Sequence, residues 1–365
     1  TFGAKETRAS ICTVLGCPGS GKTEFFAQIM HASHNNNALS GLCNAKFIKF
    51  DADETICLAI TLNCATSLVI KKELEYRLAQ IVLLRLYFIW FTDESCFCEF
   101  MHERDLPQIV QLPLKQLLDV ILKRSGKKKC ILLIDEPIKL LQNHGKLDCF
   151  IEGVTELAAQ QDQHLAIVFS SLLLNPFLQA SSCSRRLIRV PMNLLDLEEV
   201  SQRLLPELAP RLPNFLHNQC TKAGHGDPYM AIASAIGGFP RLLEFAATSI
   251  DEDGDTQVGL LVPRIIKSYR STAEISTSRD CLTFDLVSSF WHGDGNSYTM
   301  NKEGSRVADS LVQAGWLCRQ FNDEDSDYLV IPQFVLVIYC RDFDGLHCER
   351  EIQLKQALQY MFASV

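Results

Sequence analysis

The chain has 365 residues, 47% hydrophobic and 21% charged, the make-up of a folded globular protein of two or three domains rather than a disordered one. Its formal net charge of −8 gives no general electrostatic reason to bind nucleic acid or a membrane surface, so any such contact would have to be local. The most apolar stretch, residues 81–91, contains Arg85 and falls far short of the roughly 20 residues of a membrane span.

The 15 cysteines are odd in number and scattered, and several (Cys12, Cys57, Cys130, Cys318) lie inside apolar runs, so they read as buried reduced thiols. Cys96-Phe97-Cys98 with His102 lacks the second ligand pair of a zinc site and reads as coincidence. The sequence opens Thr1-Phe2-Gly3 with neither Met nor a charged-then-apolar leader, as a piece of a longer protein would.

Residues 10–16 read as a first strand and residues 22–33 as a first helix. Between them runs Gly16-Cys17-Pro18-Gly19-Ser20-Gly21-Lys22-Thr23, followed by Glu24. The spacing is G-x-x-x-x-G-K-[ST], the P-loop, in which backbone N–H groups surround phosphates, the lysine reaches the β and γ phosphates and the hydroxyl meets Mg²⁺. Gly16, Gly19 and Gly21 are expected to supply positive φ and close approach to the ligand, and the helix start presents its dipole to the anion. This stretch predicts binding of a nucleoside triphosphate.

Residues 34–37 read as a loop, 51–54 as a solvated acidic turn and 57–63 as a buried strand. One long helix is expected over 68–91, charged early and apolar late. Leu114, Leu117, Leu118, Ile121 and Leu122 give the stripe of an amphipathic helix ended by Gly126. Lys127, Lys128 and Lys129 then read as the solvated entrance to a central parallel strand rather than a nuclear-import patch. That strand ends in Asp135 and Glu136, predicting a metal-holding carboxylate and a general base for the attacking water.

Residues 164–171 read as a fourth strand, whose Ser170 or Ser171 would contact the γ-phosphate or the water, or else only cap a helix. A fifth strand over 186–191 follows a polar loop carrying Arg185 and Arg186. Either arginine would stabilise the transferring phosphoryl group, from the same molecule or from a neighbour in a homo-oligomer, or would be a surface residue. Beyond Pro191 the pattern turns helical (194–205, 218–222, 228–236) and is broken by Gly237-Gly238-Phe239-Pro240-Arg241. This break reads as a glycine C-cap followed by proline at a helix start, with Arg241 placed to reach back across an interdomain cleft.

From residue 281 two helices (282–291, 302–314) and two strands (315–320, 328–332) around the acidic turn 322–327 suggest a winged helix. Twelve Asp/Glu against six Lys/Arg in residues 281–365 is the wrong balance for tracking phosphates, so a structural or regulatory wing is preferred to a DNA-binding one. A last helix is expected over 349–362. The predicted organisation is an α/β P-loop NTPase domain with a three-layer parallel sheet (1–191), a helical lid (192–275), a winged-helix-like domain (276–340) and a C-terminal helix or linker to a missing domain (341–365).

Taken in order, the P-loop, the Ile131-Leu132-Leu133-Ile134-Asp135-Glu136-Pro137 strand, the Phe169-Ser170-Ser171-Leu172 strand end, the Ser184-Arg185-Arg186 loop and Gly237-Gly238-Phe239-Pro240-Arg241 resemble a STAND-type AAA ATPase. More narrowly they resemble the NTPase module of crinkler and retrotransposon-hot-spot-like proteins, although Cys17 and Phe239 depart from the commonest forms. The resemblance implies that Lys22 and Thr23 bind phosphate and Mg²⁺, that Asp135 and Glu136 serve metal and hydrolysis, and that Pro240 and Arg241 contact the nucleotide. It implies an intracellular location, cytoplasmic or nuclear, or secretion into a host cell, and DNA as a partner through a fused or missing domain. The function expected is Mg²⁺-dependent ATP binding and hydrolysis that switches or drives an effector. The alternatives are a nucleotide-dependent interaction module with little turnover and, less favoured for want of an arginine-rich lid, a small-molecule P-loop kinase.

Overall fold

Five short runs of aliphatic and β-branched residues make one sheet: β1 (Ile11–Leu15), β2 (Thr55–Thr61), β3 (Lys129–Asp135), β4 (Leu165–Ser171) and β5 (Leu187–Pro191). The computed structural model describes residues 10–16, 19–34, 51, 53–62, 73, 75–93, 96–103, 106–138, 140, 147–162, 164–181, 185–192, 194–208, 228–252, 264–265, 312, 318–321 and 327–330. The strand order is β2-β3-β4-β1-β5 and every neighbouring pair is parallel. Successive residues of a strand face opposite sides, and Leu132, Leu133 and Ile134 are all 0% exposed, so both faces of the sheet are covered. Parallel neighbours require crossover connections, which here carry helices.

Those helices are α1 (Lys22–His34), α2 (Leu78–Phe91), α3 (Phe97–Glu103), α4 (Leu106–Ile109), α5 (Leu114–Ser125), α6 (Leu147–Ala159) and α7 (Asn175–Ser181). The predicted stripe of α5 is buried at Leu114, Leu117, Leu118 and Ile121, and Gly126, at φ 67°, ends the helix by donating its N–H to Leu122 O. The long helix expected from residue 68 begins only at Leu78. Tyr76 N–H donates to Glu73 O in a turn, Arg77 is extended, and the Gln80 side chain accepts the Arg77 N–H at 3.0 Å, closing the helix start. Residues 63–72 and 74 lie outside the described set.

The second strand is also shifted, to Thr55–Thr61 instead of 57–63, because its entrance is held by charges that the sequence shows as two separate solvated runs. Glu54 O accepts the N–H groups of Lys128 and Lys129 at 2.8 and 2.9 Å, while the Glu54 carboxylate pairs with both ammonium groups at 2.5 and 3.7 Å. The Lys128 hydrogen bond and charge hold the Glu54 carboxyl below the usual carboxylate range. Exposed pairs of this kind contribute little stability, but here they align the starts of β2 and β3.

The chain divides into two compact units after Pro191, with Gly16–Gly21 grouped with the second. In the second unit Asp196 caps a helical run by accepting from the N–H groups of Glu198 and Glu199. The run comprises Leu197–Glu199, π-helical Val200–Leu204 and Leu205–Leu208. Then come α8 (Pro228–Ile236) and α9 (Pro240–Glu252). The antiparallel hairpin β6 (Cys318–Phe321) and β7 (Asp327–Val330) pairs Phe321 with Asp327 across the expected turn. The helices expected over 218–222, 282–291, 302–314 apart from residue 312, and 349–362 lie outside the described residues. Among the described residues no helix is long and apolar enough to cross a membrane, and no three His, Cys, Asp or Glu side chains group as a metal cluster.

Cys57 and Cys130 are buried free thiols, and burial pushes them up to about 11 and about 12, whereas Cys98 and Cys149 are exposed. Since only the thiolate alkylates, a native protein treated with iodoacetamide at pH 8 is expected to be modified at Cys98 and Cys149 and spared at Cys57 and Cys130. Peptide mapping before and after unfolding checks this; labelling of Cys130 in the folded protein at the rate of Cys98 would contradict it.

Candidate functional site

The register of the sheet decides which side chains meet in the first unit. Val14 pairs with Ser170 and Leu15 with Ser171, while Ile134 pairs with Phe169, so the end of β4 stands between the ends of β1 and β3. The carboxyl edge of this sheet therefore collects Ser170, Ser171, Asp135 and Glu136 beside the start of α1. Asp135 is 2% exposed, and a carboxylate so buried must be hydrogen-bonded. Thr23 Oγ1 donates to Asp135 Oδ2 at 2.8 Å, Ser170 Oγ donates to Oδ1, and Thr61 Oγ1 makes a longer contact of 3.3 Å to Oδ2. Lys22 is 4% exposed, while Thr23 faces solvent.

Glu136 follows the strand at φ 51°, the left-handed region that non-glycine residues rarely occupy, and is half-buried. Its N–H donates to Ser170 Oγ at 3.0 Å. A hydroxyl has one proton to donate, and that of Ser170 is committed to Asp135. Ser171 is likewise occupied, donating to Leu173 O at 2.9 Å and accepting the Leu173 N–H at 3.0 Å in a tight turn. Both serines are 0% exposed, and their donors serve the protein's own framework rather than pointing to a phosphate. Thr61 is the member of this cluster that the sequence reading passes over; its signal was a hydroxyl at the end of an apolar strand, the same cue that singled out Ser170.

In the second unit Gly19 and Gly21 take positive φ, 75° and 88°. Gly16 does not: a Cβ there would lie 2.3 Å from Ser20 Oγ, so its glycine is needed for room and not for backbone angle. Ser20 Oγ is buried without a hydrogen-bond partner among the described residues; Cys17 and Pro18 lie outside the described set. Within the same unit Arg241 N–H donates to Gly19 O at 3.2 Å, and a Cβ on Gly21 would touch the Pro240 ring at 3.7 Å. The Arg241 guanidinium instead pairs with Glu244 at 3.3 Å along α9, so the residue meets the loop through its backbone. Phe239 is core, at 1% exposed. Glu24 is exposed and accepts a hydrogen bond from Gln28 one turn along α1.

Arg185 and Arg186 stand elsewhere. Arg186 O accepts the Ile11 N–H at 2.9 Å, and the register pairs Leu187 with Ile11 and Pro191 with Leu15. Both arginines thus lie at the amino edge of β5, separated from the carboxyl edge by about 17 Å of strand at roughly 3.3 Å per residue. An Arg side chain spans far less, so the delivery expected within one molecule does not fit, which leaves a surface position or delivery from a neighbouring copy.

The Thr23 hydroxyl and the Asp135 carboxylate form a set of hard oxygen donors beside an exposed position, which suits Mg²⁺ held by one carboxylate with phosphates and water completing its shell. With a P-loop between β1 and α1 and an acidic strand end two places across the parallel sheet, the chain has a P-loop NTPase α/β fold.

No protein-family model matches the sequence, and no curated protein matches it. Among solved structures the chain is similar to a Walker-type ATPase of Pyrococcus abyssi, at 13% identity over 90% of this chain and 91% of that one, with a TM-score of 0.43. It is similar to Cdc6p of Pyrobaculum aerophilum at 13% identity (98% and 90% covered, TM-score 0.35) and to Aeropyrum pernix Orc1, solved with DNA, at 11% (97% and 88% covered, TM-score 0.33). With TM-scores below 0.5 these likenesses carry no part of the functional reading, which rests on the residues of the site.

Gly238, at φ 71°, has no room for a side chain: a Cβ would lie 2.1 Å from the carbonyl oxygen of Leu195, whose N–H donates to Gly238 O at 2.9 Å. Gly126 shares the backbone angle but has nothing within 4 Å. Gly126→Ala is therefore expected to cost about 1 kcal/mol in urea unfolding, the left-handed penalty alone. Gly238→Ala adds a clash with backbone that cannot yield and is expected to cost about 3 kcal/mol or more. Equal losses would show that the Leu195 contact is not rigid.

Proposed function

We propose that the chain binds Mg·ATP through Gly16–Thr23 and hydrolyses its terminal phosphoanhydride. The observation that carries the proposal is the hydrogen bond from Thr23, the last residue of the P-loop, to Asp135, 112 residues away at the end of β3. Thr23 follows Gly21-Lys22 directly in the chain, so this pairing supports the phosphate-binding turn and the metal-binding carboxylate acting as one site. The Ser20 hydroxyl, unpartnered among the described residues, and the positive φ of Gly19 and Gly21 support a phosphate as the loop's ligand.

In this reading Lys22 neutralises charge on the β and γ phosphates, and Thr23 with Asp135 would hold Mg²⁺. When bound, the ion supplies neutralisation of the charge that grows on the phosphate oxygens. Glu136 takes a proton from a water whose oxygen bonds to the γ-phosphorus while the bond to the β–γ bridging oxygen breaks, giving ADP and phosphate. Ser170 orients both acids at once, donating to the Asp135 carboxylate and accepting the Glu136 N–H. The backbone bond from Arg241 to Gly19 is the route by which loading of the loop reaches α9, so that turnover acts as a switch on an effector. Arg185 or Arg186, offered by a second copy, completes the charge stabilisation in this proposal. The order of motifs from Gly16 to Arg241 supports placing the chain among STAND-type AAA ATPases, with 192–275 as lid and 276–340 as wing.

Lys22→Ala is expected to abolish binding of a fluorescent ATP analogue. Glu136→Gln is expected to retain binding and to lower phosphate release by about 10²–10⁴-fold, the usual contribution of a general base. Binding without turnover in the unaltered protein would identify a nucleotide-gated interaction module and overturn the hydrolytic step. A specific activity that is independent of protein concentration and unchanged by Arg185→Ala and Arg186→Ala would remove the second copy from the proposal.

A further inference from the structure

Arg85 interrupts the apolar face of α2 and yet is 5% exposed, turned inward against Glu73, which is 0% exposed. The pair is bidentate: Nε to Oε1 at 2.9 Å and Nη2 to Oε2 at 3.0 Å, with the guanidinium over the Phe97 ring at 4.7 Å. A buried ion pair gains little over apolar side chains of the same size, because desolvation offsets the attraction. Its third contact is therefore the informative one. Arg85 Nη1 donates to the carbonyl oxygen of Thr61 at 2.8 Å.

That carbonyl belongs to the last residue of β2, the strand at one end of the described order. Leu62 N–H donates to Asp135 O at 3.0 Å, so the Leu62 peptide groups face β3. Successive residues alternate, and the Thr61 carbonyl consequently faces the open edge, where no described strand accepts it. Arg85 stands where that strand would be. Thr61 is also the register partner of Asp135, and its hydroxyl reaches Asp135 Oδ2 at 3.3 Å. Thr23 also donates to Oδ2 and is itself assigned to the metal, whereas the Thr61 hydroxyl is a donor to this oxygen from within the sheet.

We propose that Glu73, Arg85 and Thr61 are positioning residues that fix the Asp135 carboxylate for Mg²⁺, an inference that rests on the assignment of Asp135 to the metal. Arg85, clamped by Glu73, pins the end of an edge strand; Thr61, so pinned, aims Oδ2. The effect falls on metal dependence, because the line of contacts from Glu73 through Arg85 and Thr61 ends on the Asp135 carboxylate.

The test is equilibrium binding of N-methylanthraniloyl-ATP to the full chain, titrated with Mg²⁺ and repeated in EDTA. Outer partners of metal ligands are worth about 10–100-fold in metal affinity. Thr61→Val is expected to raise the half-saturating Mg²⁺ about tenfold with EDTA binding unchanged, and Thr61→Ser to restore the unaltered value. Arg85→Lys, which keeps a charge against Glu73 but loses the fork that reaches Thr61, is expected to shift the midpoint the same way. Should Arg85→Lys fail to fold, Glu73→Gln is read in its place. A folded Thr61→Val with unaltered Mg²⁺ dependence, or one that weakens EDTA binding equally, overturns the proposal. A folded Arg85 or Glu73 variant with unaltered Mg²⁺ dependence removes the ion pair from it. If the unaltered protein shows no Mg²⁺-dependent nucleotide binding, the assignment of Asp135 fails instead, and the two failures are told apart.

Discussion

A carboxylate that is 2% exposed needs hydrogen bonds in place of its water, and Asp135 has three hydroxyls around it, from Thr23, Ser170 and Thr61. Each comes from a different element: the start of α1, the end of β4 and the end of β2. Those three elements can converge on one side chain only if the strands run parallel and end level, which is what the registers of β2, β3 and β4 give. The layout of the sheet and the solvation of this one charge are thus a single constraint. Slipping β2 by one residue would turn the Thr61 hydroxyl to the opposite face and bring Ile60 or Leu62, neither with a hydroxyl, beside the acid.

Legibility in the sequence followed the range of the interaction. The P-loop is eight adjacent residues, and the apolar run before Asp135 needs no partner to be read as a buried parallel strand. The helix break at Gly237-Gly238 is equally local, with both glycines at positive φ. What escaped were contacts between distant segments. The acids at 51–54 and the lysines at 127–129 look solvated separately and pair only when β2 meets β3. Glu73 and Arg85 look like two charges of one long helix, but a turn at Tyr76 folds one back on the other.

The arginine loop was readable further than the motif alone allowed. Ligand chemistry in open parallel sheets gathers at the carboxyl ends of strands. Arg185 and Arg186 precede β5, and residues that precede a parallel strand lie at the opposite edge whatever their chemistry. Ser170 and Ser171 follow from the converse: they end β4, so position favours them, yet the count of protons decides their role. Each hydroxyl has one hydrogen, and in both it is directed to protein oxygen.

The same count bears on Glu136. A left-handed backbone at a non-glycine residue costs about 1–3 kcal/mol and persists only where its surroundings over-determine it. Here the N–H of the strained residue is accepted by Ser170 Oγ, and that oxygen can accept in this direction because its proton is turned to Asp135. Removing the charge of Asp135 would remove the reason for the serine proton to point there, and the support for the Glu136 backbone would weaken with it. The two acids at the end of β3 are therefore coupled through one hydroxyl, and a substitution at Asp135 reaches the carboxylate beside it without touching that side chain.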